Sequence, residues 1–111
     1  MELEDKAIEL SDMIAESDIY RRYITAKENL EKDTDLLGRV GEYRRRNFYI
    51  QIGTGDNKLD ELRRLESEYY ETLSNTLVKE FLDSELVLCR TIQKINNIII
   101  DKVDFDVDFI S

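Results

Sequence analysis

Residues Glu42–Gln51 read Glu-Tyr-Arg-Arg-Arg-Asn-Phe-Tyr-Ile-Gln, EYRRRNFYIQ, and run into the glycine-rich break Gly53-Thr54-Gly55-Asp56-Asn57. Taken as a helix, this stretch continues a stripe of Leu36, Val40, Tyr43, Asn47 and Ile50 at alternating spacings of four and three. Arg39, Glu42, Arg45, Arg46 and Tyr49 then fall on the opposite, solvated side. Beyond the break, Leu59, Leu62, Leu65, Tyr69 and Leu73 form a second stripe of the same period. Two amphipathic helices joined by a short polar connection fold back as an antiparallel hairpin. That hairpin is the centre of the expected fold.

Working back towards the N-terminus, Leu3, Ala7, Leu10 and Ile14 mark a first helix. Ser17 is placed to cap a second, because its hydroxyl can accept from an orphan amide and Asp18 follows in the first turn. Tyr20, Tyr23, Lys27 and Leu30 set the stripe of that helix, with the Lys27 stem packing and its head in water. Asp33 caps the helix that leads into the hairpin. Gly38 and Gly41 fit either close approach of another helix backbone or tolerance near a helix start. Asn47 fits either a register-setting polar residue at a dimer seam or an amide bonded to a neighbour or water.

Towards the C-terminus, the helix from Lys58 is expected to fail at Ser74-Asn75. A last helix follows over about Leu77 to Lys102, roughly 39 Å at 1.5 Å per residue. Its apolar positions, among them Phe81, Leu88, Cys89, Ile92, Ile95 and Ile99, cover more than one stripe. They predict the middle of a bundle or of a dimer. Residues 103–111 switch to strict alternation, Val-Asp-Phe-Asp-Val-Asp-Phe over Val103–Phe109. Such a tail either pairs as a strand or frays. The expected architecture is therefore all-α: a four- or five-helix bundle in a single domain, 1–102, built on the long antiparallel hairpin and a long C-terminal helix, with the acidic tail 103–111 appended.

The chain is 111 residues with a formal net charge of −9, which sets it against polyphosphate and anionic membranes as general partners. Only residues 34–57 are positive, with four bases against three acids. An acidic N-terminus and the lack of any long apolar run give a cytoplasmic expectation. The single cysteine, Cys89, fits a reducing compartment and is expected to pack as a small hydrophobe. With no histidine in the chain, the commonest general base and the usual nucleophile pairs are missing. The lone cysteine supplies no thiolate metal motif. Carboxylates one turn apart, such as Glu68 and Glu71, are what chance gives at this acidity. Gly53-Thr54-Gly55 lacks the Lys-Ser/Thr of a phosphate loop. The expectation is no enzyme, no metal and no cofactor.

The EYRRRNFYIQ block resembles the signature of the YlbF/YmcA/YheA family of small bacterial helical proteins, in which an E-F-R-R-x-N-F-x-L-Q pattern recurs. Tyr43 stands for the aromatic, Arg44 and Arg45 for the basic pair, Asn47 and Phe48 for the N-F, and Ile50 with Gln51 closes the block. The resemblance extends more weakly over residues 3–102, and Thr34 stands where relatives often carry a proline. It implies a non-enzymatic regulator of cytoplasmic complexes that bear on competence, sporulation and biofilm formation through the mRNA-cleaving ribonuclease Y. Some members bear extra cysteines associated with iron–sulfur chemistry, for which one cysteine does not suffice.

On that reading Arg44, Arg45, Arg46, Phe48, Tyr49, Arg63 and Arg64 are the partner-binding candidates. Pairing of Glu42 with Arg46 and of Asp60 with Arg64 at i,i+4 is the structural alternative for the arginines. Asn47, Phe81, Leu88, Ile92, Ile95 and Ile99 are the candidates for self-association, as a homo-oligomer, foremost a dimer, or with a related chain. Direct RNA binding, with Tyr43, Phe48 and Tyr49 stacking bases beside the arginines, is the alternative function.

Overall fold

The structure is a computed structural model that describes residues 1–103. It is all-α, with six helices in order: α1 (Glu2–Ala15), α2 (Asp18–Glu31), α3 (Thr34–Ile52), α4 (Lys58–Glu68), α5 (Tyr70–Ser74) and α6 (Thr76–Asp101). Among the described residues there is no strand. The alternating tail, apart from Val103, lies outside them.

Each boundary has a local cause. The Ser17 hydroxyl accepts from the Tyr20 amide at 3.2 Å and donates to the Ile14 carbonyl at 2.6 Å, which closes α1 and opens α2 in one residue. Asp33 accepts from the Leu36 amide at 3.1 Å, so α3 starts at Thr34 without help from a proline. α3 stops at Gly53, whose amide turns back to the Ile50 carbonyl. The Lys58 ammonium donates to the Gln51 carbonyl at 2.8 Å and spans the break. Asn75 caps α6 by accepting from the Leu77 amide at 2.9 Å. A cap of this kind contributes about 1 kcal/mol.

One interruption comes earlier than the sequence suggests. The helix after the break fails at Tyr69, five residues before Ser74, where φ −104° and ψ 20° leave the helical range. Neither glycine nor proline marks this point. Its counterpart is tertiary: the Tyr69 ring is buried against Tyr43 on the facing helix, with centroids 5.6 Å apart.

The main core is small. Ala26 and Leu30 of α2, Leu36 and Val40 of α3, and Val78 and Phe81 of α6 meet in one cluster, with Tyr23 and Leu82 against it. Leu30 and Val78 are wholly buried, and each such side chain is worth about 1.5–3 kcal/mol on transfer from water. The α2 stripe thus runs Tyr23–Ala26–Leu30, one position round from the expected one. Lys27 is exposed, its ammonium 4.0 Å from Glu31, while Ala26 is buried in the cluster that α2 shares with α3 and α6. α3 and α4 form the antiparallel hairpin, closed by Leu65 and Tyr69 against the Tyr43 side of α3. Leu59, at its far end, is exposed.

The molecule is flat and long, with principal extents of 50 × 37 × 17 Å and a radius of gyration of 18.1 Å. A compact chain of this length has a radius near ~13 Å. α6 explains much of the difference. Its buried residues are Val78, Phe81 and Ser84, all in the first half, so the second half is not the centre of an intrachain bundle. Cys89 is exposed rather than packed, because the apolar arc of α6 is wider than the face that α2 covers.

Candidate functional site

The hairpin concentrates bases and aromatics, and the structure divides them into two groups. Arg44 and Arg46 are tied down. Arg44 donates to Glu85 on α6 and lies over the Phe81 ring, 5.1 Å from its centroid. Arg46 reaches across the hairpin to Glu68 and lies over Tyr69 at 5.6 Å. Each guanidinium thereby joins an ion pair to a cation–π contact, a combination that suits its planar, weakly hydrated fork. The Glu68 carboxyl is held below the usual carboxylate range by its hydrogen bond from Arg46, and the Arg46 guanidinium is pushed up in return. Glu80 is lowered in the same way by Arg22, which donates to it at 2.9 and 2.7 Å and ties α2 to α6. Burial raises the Tyr43 phenol, with Glu66 adding to the shift.

The second group is free. Arg45, Arg63 and Arg64 are exposed and take part in no ion pair among the described residues. The expected pairs within one helix do not form. Arg46 takes Glu68 in place of Glu42, because the facing helix presents a carboxylate beside an aromatic ring, and Asp60 leaves Arg64 unpaired. Phe48 and Tyr49 are exposed at 58% and 67%, their rings edge to face at 5.9 Å. An open groove of about 420 Å³ runs along this face, lined by Arg46, Tyr49, Ile50, Glu61, Arg64 and Glu68. Its walls are mainly apolar, and Arg46 and Arg64 set charges of one sign against Glu61 and Glu68 of the other.

The self-association candidates are also spread over different environments. Phe81 sits in the core. Asn47 is half-buried on the inner stripe of α3. Leu88 and Ile95 are half-buried opposite Leu10 and Ile14 of α1, while Ile92 and Ile99 are 46% and 55% exposed. Gly38 and Gly41 meet no helix backbone within the chain: a Cβ at Gly38 would have nothing within 4 Å, and one at Gly41 only the Arg45 guanidinium at 3.8 Å. Sequence reasoning missed the carboxylates that divide the arginines, Glu68 and Glu85. They lie 22 and 41 positions from their partners, and no local spacing signals them.

Among the described residues no three metal-ligating side chains gather, and no helix is long and apolar enough to cross a membrane. Against known proteins, the family described as "Control of competence regulator ComK, YlbF/YmcA" matches residues 3–104. A UPF0342 protein of Caldicellulosiruptor bescii is 27% identical over 104 residues, covering 91% of this chain and 87% of the relative. A UPF0342 protein of Desulfitobacterium hafniense is 31% identical over 106 residues, covering 89% and 82%. No solved structure matches.

Proposed function

The chain belongs to the YlbF/YmcA family, and we propose that it is a non-enzymatic regulatory adaptor whose hairpin docks onto a protein partner in the cytoplasm. The family's description is one of regulation, the control of a competence regulator. The finer reading is docking onto a ribonuclease Y-type complex, so that mRNA cleavage is redirected by contact with no bond made or broken by this chain. Competence, sporulation and biofilm formation are the processes that such redirection would reach.

The observation that carries this reading is the division of the arginines. Arg44 and Arg46 are engaged by Glu85 and Glu68, while Arg45, Arg63 and Arg64 are exposed and, among the described residues, unpaired on the hairpin that also exposes Phe48 and Tyr49, with Arg64 and Tyr49 lining one groove. Aromatics and arginine are the residues that most often anchor a protein interface. A chain of net charge −9 opposes RNA over a distance of about 8 Å at physiological salt, and three bases are few to set against that field.

The test is the triple change Arg45→Ala, Arg63→Ala and Arg64→Ala, none of which removes an ion pair among the described residues. Helix content should stay the same, and binding to the soluble part of ribonuclease Y should weaken by at least about tenfold, the loss of one interface anchor. Fluorescence anisotropy with a short single-stranded RNA should show little binding before or after. Tight, salt-sensitive RNA binding that the triple change removes would replace the adaptor reading with direct RNA recognition.

A further inference from the structure

The groove of the hairpin has an apolar floor and an ordered pair of unanswered charges. Ile50 of α3 and Leu65 of α4, half-buried and buried, form the floor. Tyr49 stands at the α3 edge, 67% exposed and set edge to face against Phe48. Arg46 and Glu68 reach towards each other from the two facing helices and close one end. Glu61, Arg64 and Glu68 follow one another along α4 at spacings of three and four, so they share one bank over about 10 Å.

On that bank Glu68 is engaged by Arg46. Glu61 and Arg64 take part in no ion pair among the described residues, not even with each other. They are opposite in sign and one turn apart, beside a floor that is apolar. The complement of such a bank is a surface that carries a base and an acid, one turn apart and in the matching order, beside apolar side chains of its own.

The walls also select the backbone of the occupant. Both are α-helices, whose amides and carbonyls bond along their own length, and no strand lies among the described residues. The groove therefore presents side chains and no backbone edge. An extended segment lying in it would turn unpaired amides and carbonyls towards apolar walls, whereas a helix satisfies its own.

We propose that the groove takes an amphipathic α-helix of the partner protein. Its large apolar side chains, one turn apart, lie over Ile50 and Leu65 and against Tyr49, while on its flank an acid faces Arg64 and a base faces Glu61. This occupant rests on the adaptor reading and names the chemistry of the partner at that same site. The apolar contacts supply the affinity. The order of Glu61 and Arg64 sets the direction in which the helix lies, because the reverse would bring like charges together.

Two fluorescein-labelled peptides of about 20 residues, above the length at which an isolated helix is marginal, test this by anisotropy with the full chain. Both carry leucines along one stripe. One has a lysine and a glutamate one turn apart on one flank, and the other has these two exchanged, so composition and net charge are equal. One isomer should bind about tenfold more tightly than the other. Glu61→Lys with Arg64→Glu keeps the net charge of the chain and should reverse the preference. Tyr49→Ala should weaken both at least about tenfold, with helix content unchanged because the ring is exposed. No binding below about 1 mM, equal affinity for the isomers, a preference that survives the exchange of charges, or indifference to Tyr49→Ala would each overturn the proposal. The soluble part of ribonuclease Y separates it from the reading beneath. Affinity lost in the Arg45, Arg63 and Arg64 triple change but kept in the charge exchange leaves the adaptor standing and removes the helix. Peptides told apart as expected, with no binding of ribonuclease Y, leave the helix standing and remove that partner.

Discussion

Thr72 offers the sharpest test of the packing. It lies in α5, the single turn between Tyr69 and Asn75, and is 2% exposed. Its hydroxyl is the only buried side-chain polar atom without a hydrogen-bond partner among the described residues. A hydroxyl taken out of water with no bond in return costs about 1–3 kcal/mol. Valine keeps the shape and the β-branching and removes only the polar atom, so the rotamer entropy is nearly the same in both. Thr72→Val should therefore stabilise the fold by about 1–2 kcal/mol, or about 4–8 °C in melting temperature for a domain of this size. Thr72→Ser keeps the unsatisfied hydroxyl and gives up a methyl group, and should lower stability by about 1 kcal/mol. Both are read by thermal and urea denaturation followed by circular dichroism, at one fixed protein concentration so that association contributes equally. A Thr72→Val chain that melts no higher than wild type would show the hydroxyl to be satisfied and refute the reasoning.

Two further outcomes follow from the core and its clamps. Leu30→Ala, at a position with no exposure, should cost about 2–5 kcal/mol, whereas the same change at Leu3, 74% exposed, should leave chain stability within about 0.5 kcal/mol; urea midpoints compare the two. Glu68 and Glu80 have folded values below their unfolded ones, so the stability they give is present above the ordinary carboxylate range of about 4.3 and is lost as pH falls through the folded values. Glu68→Gln with Glu80→Gln should flatten the loss of stability on acidification below about pH 4.5, and a denaturation series with the wild-type slope would refute this.

What could be read from the sequence was whatever depends on neighbours in the chain. Ser17 and Asp33 cap the helices they were expected to cap, since a side-chain oxygen and the amide three residues on are brought together by the turn itself. The stripe Leu36–Val40–Tyr43–Asn47–Ile50 faces inward because helical period alone fixes which residues share a side. The all-α class follows from such periods, and the YlbF/YmcA resemblance from one short block inside one of them. Lys27 failed for the opposite reason. A period places it in the stripe, and the packing of α2 against α6 buries Ala26 and leaves Lys27 out.

The same limit explains the functional face. Arg44, Arg45 and Arg46 are consecutive and alike, yet two are structural and the middle one is free. A helix turns 100° per residue, so three neighbours point in three directions. Arg44 points to α6 and finds Glu85, Arg46 points to α4 and finds Glu68, and Arg45 points to water. The carboxylates arrive from distant parts of the chain, and their positions depend on how α4 breaks at Tyr69 and how α6 crosses α3. Cys89 and Ile92 repeat the case on α6, where apolar identity predicts a covered position and both are exposed, because the apolar arc is wider than the face that α2 covers. The work of a residue here is set by which element reaches it. Surfaces that no element of the chain reaches, the free arginines at one end and α1 with α6 at the other, are therefore where partners have to be sought.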